Sequence, residues 1–189
     1  VDVVSRVLPF KTNEYVVNEL IDWDRVPNDP IFQLTFVQRD MLHEDEYWKM
    51  ARLVRTDATK AQLKAAADDI RLKLNPHPAG QMSHNRPTLD GRQLEGMQHK
   101  YRETVLFFPS QGQTCHAYCT FCFRWAQFVG LEGMRFQSRE VDDLAQYLRE
   151  HPEVTDVLIT GGDPMVMKAE ALRAYIEPLL APEFENVDI

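Results

Sequence analysis

Two kinds of apolar patterning alternate along the chain: residues recurring every three or four positions, and short runs that are apolar throughout. The first kind dominates the N-terminal half. Residues 14–22 pattern as a short amphipathic helix. Pro27, Asn28, Asp29 and Pro30 mark a turn. Beyond it, Ile31, Leu34 and Phe36 fit either a helix or an extended stretch. Tyr47, Met50, Ala51 and Val54 predict a helix over 44–55. The clearest helix is predicted over 59–74, where Leu63, Ala66, Ala67, Ile70 and Leu74 form one face and charges cover the other. The run from Asn75 to Gly80 ends it.

Residues 75–103 are polar and weakly periodic, the pattern of a long functional or flexible connection. Thr104 to Phe108 is then a continuous apolar run, predicting a strand buried on both faces. A helix follows over 138–150, with Ser138 as N-cap and Val141, Leu144, Ala145 and Leu148 inward. Asp156 to Thr160 reads as a second buried strand, 168–180 as another helix carrying Ala171, Leu172, Tyr175 and Leu179, and Val187 to Ile189 as the opening of a third strand. This βαβαβ series predicts an α/β fold with parallel strands. The boundary falls near residue 100, with a helical N-terminal region and long loop over 1–100 and βα units over 101–189. The last residues read as a strand cut short. The chain also begins at Val1 rather than Met. It is therefore expected to be a piece of a longer protein that continues beyond Ile189.

Composition adds exclusions. At 189 residues, 44% apolar and 26% charged, the chain can build an ordinary core. Its formal net charge of -8 argues against a nucleic-acid surface, which needs clustered Lys and Arg. No apolar run approaches the roughly 20 residues that span a bilayer, and no signal peptide is visible. A cytoplasmic protein with neither nucleic acid nor membrane as partner is expected.

The three cysteines, Cys115, Cys119 and Cys122, lie within eight positions as CxxxCxxC. An odd, tight cluster is a poor disulfide framework and points to a metal or redox site. It directly follows the first apolar strand, on the loop at that strand's C-terminal end, where parallel α/β folds bind ligands. Soft thiolates close in sequence suit one compact metal centre. A cubane iron–sulfur cluster normally takes four cysteines. With three, one iron keeps an open position, as metal catalysis requires. Two other readings stand beside this one: zinc with His116 or His99 as a fourth ligand, although structural zinc usually draws on two separated pairs, and buried thiols without chemistry.

The second strand ends in Gly161-Gly162-Asp163-Pro164. Two glycines let a backbone turn sharply and approach a ligand closely, and the Asp163 carboxylate suits a bound ammonium. A plain strand-to-helix turn would have the same composition. His77, His84, His99 and His116 lie on predicted loops, where a lone His is usually polar surface. Trp23, Trp48 and Tyr47 read as helix packing.

CxxxCxxC with aromatic Phe121 before the last cysteine, followed one strand later by Gly161-Gly162-Asp163, resembles the radical S-adenosylmethionine superfamily. The resemblance implies a partial (βα) barrel behind a helical N-terminal region. It implies a 4Fe–4S cluster on Cys115, Cys119 and Cys122 whose fourth iron is chelated by S-adenosylmethionine. Gly161, Gly162 and Asp163 would line the methionine moiety. Cleavage of the sulfonium would give a 5′-deoxyadenosyl radical that takes a hydrogen from the substrate. Within the superfamily, Asn75-Pro76, the Gly96 to Tyr101 segment, Val105 to Phe108 and the Pro152 to Asp163 segment are similar to the lysine 2,3-aminomutase family. That likeness implies an isomerase moving an amino group on an amino-acid substrate with pyridoxal phosphate, an external donor such as flavodoxin or ferredoxin, and a homo-oligomer. Lys100 and Tyr101 match the basic segment that holds the pyridoxal phosphate group, and Arg124 is the candidate for pairing a substrate carboxylate. Thr104 stands where the family pattern has an arginine, Trp125 and Ala126 follow Arg124 where it runs arginines, and the pyridoxal lysine would lie beyond Ile189. A superfamily enzyme of another reaction type, modifying a peptide or protein without pyridoxal phosphate, is the alternative. A non-enzymatic zinc module is the third.

Overall fold

Asp29 and Pro30 start the first helix. The Asp29 carboxylate accepts from the Phe32 N–H at 2.7 Å and Pro30 occupies the first turn, so Pro30–Thr35 forms helix α1. The segment left ambiguous by its sequence is thus helical because it is capped. The structure is a computed structural model describing residues 1–74, 83–115, 117–119, 122, 131 and 135–189. It divides into two compact units, Val1–Pro78 with His116–Leu131, and Ala79–Cys115 with Glu132–Ile189.

In the first unit, α2 (Glu44–Arg55) and α3 (Lys60–Leu74) follow the predicted spans. Acidic residues open α2 and Arg52 and Arg55 close it, complementing the helix dipole. Met50, Ala66, Ala67 and Ile70 pack with Val4, Val7, Val37 and Leu42 into one core. Burial of these side chains, each worth about 1.5–3 kcal/mol for the larger ones, holds the unit. The exposed pairs Lys49–Asp69 (2.6 Å) and Lys73–Glu46 (2.7 Å) across α2 and α3 add little. The helix expected over 14–22 runs over residues 14–20, and its Val16–Leu20 part is wound as a π-helix. Trp23 and Trp48 are both exposed: Trp23 lies edge-on to Phe32 and Phe36, and Trp48 edge-on to Tyr47 and between Arg39 and Arg55.

In the second unit, the polar stretch before residue 104 contains more structure than its composition suggests. Strands β1 (Thr88–Leu89) and β2 (Arg92–Gln93) form a hairpin. Met97–Tyr101 is a strand, β3, antiparallel to β4 (Thr104–Phe107). Its polar outer residues hid it: β3 is an edge strand whose Met97 and Gln98 are buried while Lys100 and Tyr101 are exposed. Strand β4 pairs in parallel with β5 (Asp156–Ile159), and α4 (Val141–Glu150) lies between them in the chain. Val105, Phe107 and Val157 pack with Leu144, Ala145, Tyr147 and Leu148 of α4. The expectation of strands buried on both faces is corrected here. Leu106 is half-buried and Leu158 is 51% exposed, because the helices cover one face only.

Ser138 does not cap α4. It pairs in parallel with Pro109, its N–H donating to the Phe108 carbonyl at 2.8 Å, and the helix starts at Val141. Helix α5 (Ala169–Ile176) gives way to a 3-10 turn at Glu177–Leu180, where Pro178 has no N–H to continue the α-helix. Asp188 then pairs in parallel with Asp156, as expected of an opening third strand.

Candidate functional site

The C-terminal ends of β4 and β5 are joined by backbone hydrogen bonds. Beyond β4 the chain passes through Pro109 and a 3-10 turn at Ser110–Gly112 to Gln113, Thr114 and Cys115. Beyond β5, the Thr160 N–H donates to the Phe107 carbonyl at 2.8 Å, and the N–H groups of Gly162 and Asp163 both donate to the Gly112 carbonyl, at 3.1 and 3.2 Å. Gly161 has φ +150, and a Cβ there would stand 2.3 Å from Gln113 Nε2. The Gln113 amide is itself held, donating to the Pro109 carbonyl at 2.7 Å. A Cβ on Gly162 would stand 2.6 Å from the Thr114 carbonyl carbon. Gly162 is therefore required by the approach of the segment that leads into Cys115, and Gly161 by its positive φ.

Asp163 lies beside them. Its Oδ1 accepts from the Met165 N–H at 2.9 Å, capping the turn at Pro164–Val166. That bond orients the carboxylate. The sequence offered two uses for this residue, a turn former and a ligand for an ammonium group; the turn is present in the structure.

Cys115 and Cys122 are half-buried and Cys119 is exposed; none is in a disulfide. In the first unit the Cys122 N–H donates to the Cys119 carbonyl at 3.1 Å. Tyr118, directly before Cys119, donates its N–H to the Leu34 carbonyl at 2.7 Å and its hydroxyl to the Pro9 carbonyl. Burial pushes the Tyr118 phenol up to about 12, so it stays neutral at physiological pH. Among the described residues, no three His, Cys, Asp or Glu side chains are gathered closely enough to hold a metal ion. The donor set nevertheless fits a soft-metal cluster: three thiols on one short stretch, on the loop that leaves the C-terminal end of β4. Phe121, Arg124 and His116 lie outside the described residues.

Lys100 and Tyr101 stand elsewhere. Tyr101 pairs with Thr104, at the N-terminal end of β4, roughly 10 Å along the strand from Phe107 at about 3.3 Å per residue. Both side chains are exposed, and Lys100 Nζ lies 5.3 Å from the Tyr101 ring centroid. The ammonium lies over the ring, a cation–π contact. The structure thus brings Gly161, Gly162 and Asp163 to the entry of the cysteine loop and leaves Lys100 and Tyr101 at the other end of the sheet. His99 belongs to the packing on the helical face: its Nδ1 is 2.6 Å from the Tyr147 hydroxyl and its Nε2 is 3.2 Å from the Arg102 carbonyl. Both ring nitrogens are engaged there, which removes His99 as a zinc ligand. Gln113, Thr114 and Tyr118 were not singled out by sequence; an aromatic directly ahead of the second cysteine is the one signal that pointed to any of them.

No family model matches the chain. Similarity to individual proteins is extensive. The chain is 26% identical over 199 residues to the L-lysine 2,3-aminomutase of Bacillus subtilis, covering 88% of this chain and 41% of that protein. It is 29% identical over 176 residues to an Aquifex aeolicus protein provisionally named L-lysine 2,3-aminomutase, covering 93% of this chain and 36% of that one. It is also 32% identical over 96 residues to the L-lysine 2,3-aminomutase of Clostridium subterminale, 51% of this chain and 22% of that one. The chain is similar to the lysine 2,3-aminomutases. It spans about two fifths or less of the length of the aminomutases it matches. These relatives are named for an isomerase reaction, and no helix among the described residues is long and apolar enough to cross a membrane.

Proposed function

We propose that this chain is part of a radical S-adenosylmethionine aminomutase acting on an amino acid. The observation that carries the proposal is the pair of hydrogen bonds from Gly162 and Asp163 to the Gly112 carbonyl, beside the segment that enters the cysteine loop. Cys115, Cys119 and Cys122 would hold a 4Fe–4S cluster, leaving one iron without a protein ligand. When bound, the cluster supplies the single electron that cleaves the sulfonium of S-adenosylmethionine, itself replenished by an external donor. Asp163, oriented by its bond from Met165, would accept from the ammonium of the methionine moiety. Gly161 and Gly162 leave no room for a Cβ there, where Gln113 and the Thr114 backbone pack against them. Arg124 would pair the substrate carboxylate. Lys100 and Tyr101 would hold the phosphate of pyridoxal phosphate at the N-terminal end of the strands, and that group, when bound, supplies the aldehyde that receives the amino group. The two βα units would open a partial (βα) barrel, whose inner face would include Leu106 and Leu158.

The placement of Lys100 and Tyr101 at the far end of the sheet, with Thr104 instead of an arginine beside them, favours as second reading a superfamily enzyme that works without pyridoxal phosphate. The deciding experiment is anaerobic reconstitution of the full-length protein. About four irons per chain are expected, with release of 5′-deoxyadenosine on reduction with S-adenosylmethionine present. No deoxyadenosine would overturn the proposal. Deoxyadenosine without a pyridoxal absorption band would select the second reading. Zinc in place of iron would make the site a zinc module.

A further inference from the structure

We propose that Tyr118 is the positioning residue for Cys119 and Cys122, tying this part of the cysteine loop to the first, helical unit. The inference rests on the cluster assignment above and adds to it a residue outside the ligand set, whose hydroxyl is given to the Pro9 carbonyl.

Two backbone carbonyls meet Tyr118. Leu34 lies in the last turn of α1, and the final carbonyls of a helix have no partner within it. The Tyr118 N–H fills that vacancy at 2.7 Å. Pro9 lies in an irregular segment, and its carbonyl accepts the Tyr118 hydroxyl. The Tyr118 ring packs against the core built from Val4, Val7 and Ile70. Backbone, ring and hydroxyl are thus fixed at three points, directly before Cys119. The Cys122 N–H to Cys119 carbonyl bond carries the constraint on to the third thiol. A ligand loop held in one geometry before metal arrives loses less conformational freedom on binding, so its cluster is retained more firmly. Cys119 is exposed. The Leu34 bond is made by backbone and survives substitution. The hydroxyl and the ring can be removed separately.

The test uses full-length protein with Tyr118→Phe and Tyr118→Ala, in two arms. In the iron-free arm, alkylation of each thiol by iodoacetamide is followed by mass spectrometry. Tyr118→Ala is expected to speed alkylation of Cys122 by about 10-fold and Tyr118→Phe by about 3-fold, the range set by loss of one hydrogen bond with or without its packing. Cys115, held through Thr114 by Gly162, is expected to keep its wild-type rate. In the loaded arm, iron release to a ferrous chelator is expected to accelerate in the same order, with an altered electron paramagnetic resonance signal in the reduced alanine variant. Unchanged Cys122 alkylation and unchanged iron release in both variants would overturn the role of Tyr118. Equal acceleration at all three cysteines would also overturn it, as the mark of general unfolding. Wild-type protein that binds no iron would overturn the cluster assignment instead, and the iron-free arm would still decide Tyr118.

Discussion

A Cβ on Gly162 would stand 2.6 Å from the carbonyl carbon of Thr114 and 2.9 Å from its nitrogen. Real side chains do not approach backbone so closely, so Gly162→Ala must push the Gly112–Cys115 segment away from β5. Overpacking of this kind costs about 1–3 kcal/mol. The expected outcome is a lower melting temperature together with reduced iron uptake in anaerobic reconstitution. An alanine variant that loads iron and melts as the wild type does would show that the close approach is dispensable.

Asp163→Asn separates charge from structure. The asparagine carbonyl can still accept from the Met165 N–H, so the turn at Pro164–Val166 should persist. A hydrogen bond to a charged group contributes about 1.5–3 kcal/mol, so binding of S-adenosylmethionine to the reconstituted protein should weaken by roughly 10-fold or more, a factor of 10 being about 1.4 kcal/mol. Iron content should not change. Equilibrium binding checks this, and an unaltered Kd would remove Asp163 from the ligand site.

The Tyr118 phenol titrates at 10.0 in its ordinary state and is pushed up to about 12 in the fold by burial. A folded pKa above the unfolded one means the fold binds this proton more tightly. Its contribution to stability is therefore complete below pH 10.0 and is lost as pH rises towards about 12. Chemical unfolding between these limits should show a decline in wild-type stability that Tyr118→Phe lacks. Parallel alkaline slopes in the two proteins would contradict the assignment.

Phe107 and Leu158 sit on neighbouring strands and face different surroundings. Phe107 is fully buried against the helices, whereas Leu158 is 51% exposed. Phe107→Ala should cost about 3–5 kcal/mol. Leu158→Ala in the 189-residue chain should change stability by no more than about 0.5 kcal/mol, as surface substitutions do. Urea unfolding midpoints compare them directly, and similar losses would place a covering layer over Leu158.

Helices α2 and α3 were legible because the 3.6-residue period is written in neighbouring residues and needs no distant partner. Strand β4 and strand β5 were legible as apolar runs, though their one-sided burial was not, since which face is covered depends on where α4 packs. Strand β3 was invisible: Gln98, His99 and Lys100 look like loop, and only pairing with β4 makes them a strand. Ser138 looked like a cap because serine before an apolar period usually is one; here its backbone is taken by Phe108.

By itself, the sequence determined three thiols at CxxxCxxC spacing after one strand and a Gly-Gly-Asp turn after the next, because ligand identity and local spacing are properties of the chain. Tertiary structure alone decided what those glycines touch, that Lys100 and Tyr101 fall at the opposite end of the sheet, and that Tyr118 is held by carbonyls as far as 109 residues earlier. The physical reason is that a hydrogen bond to a distant carbonyl, or the absence of room for one Cβ, leaves no periodic trace in the residues on either side.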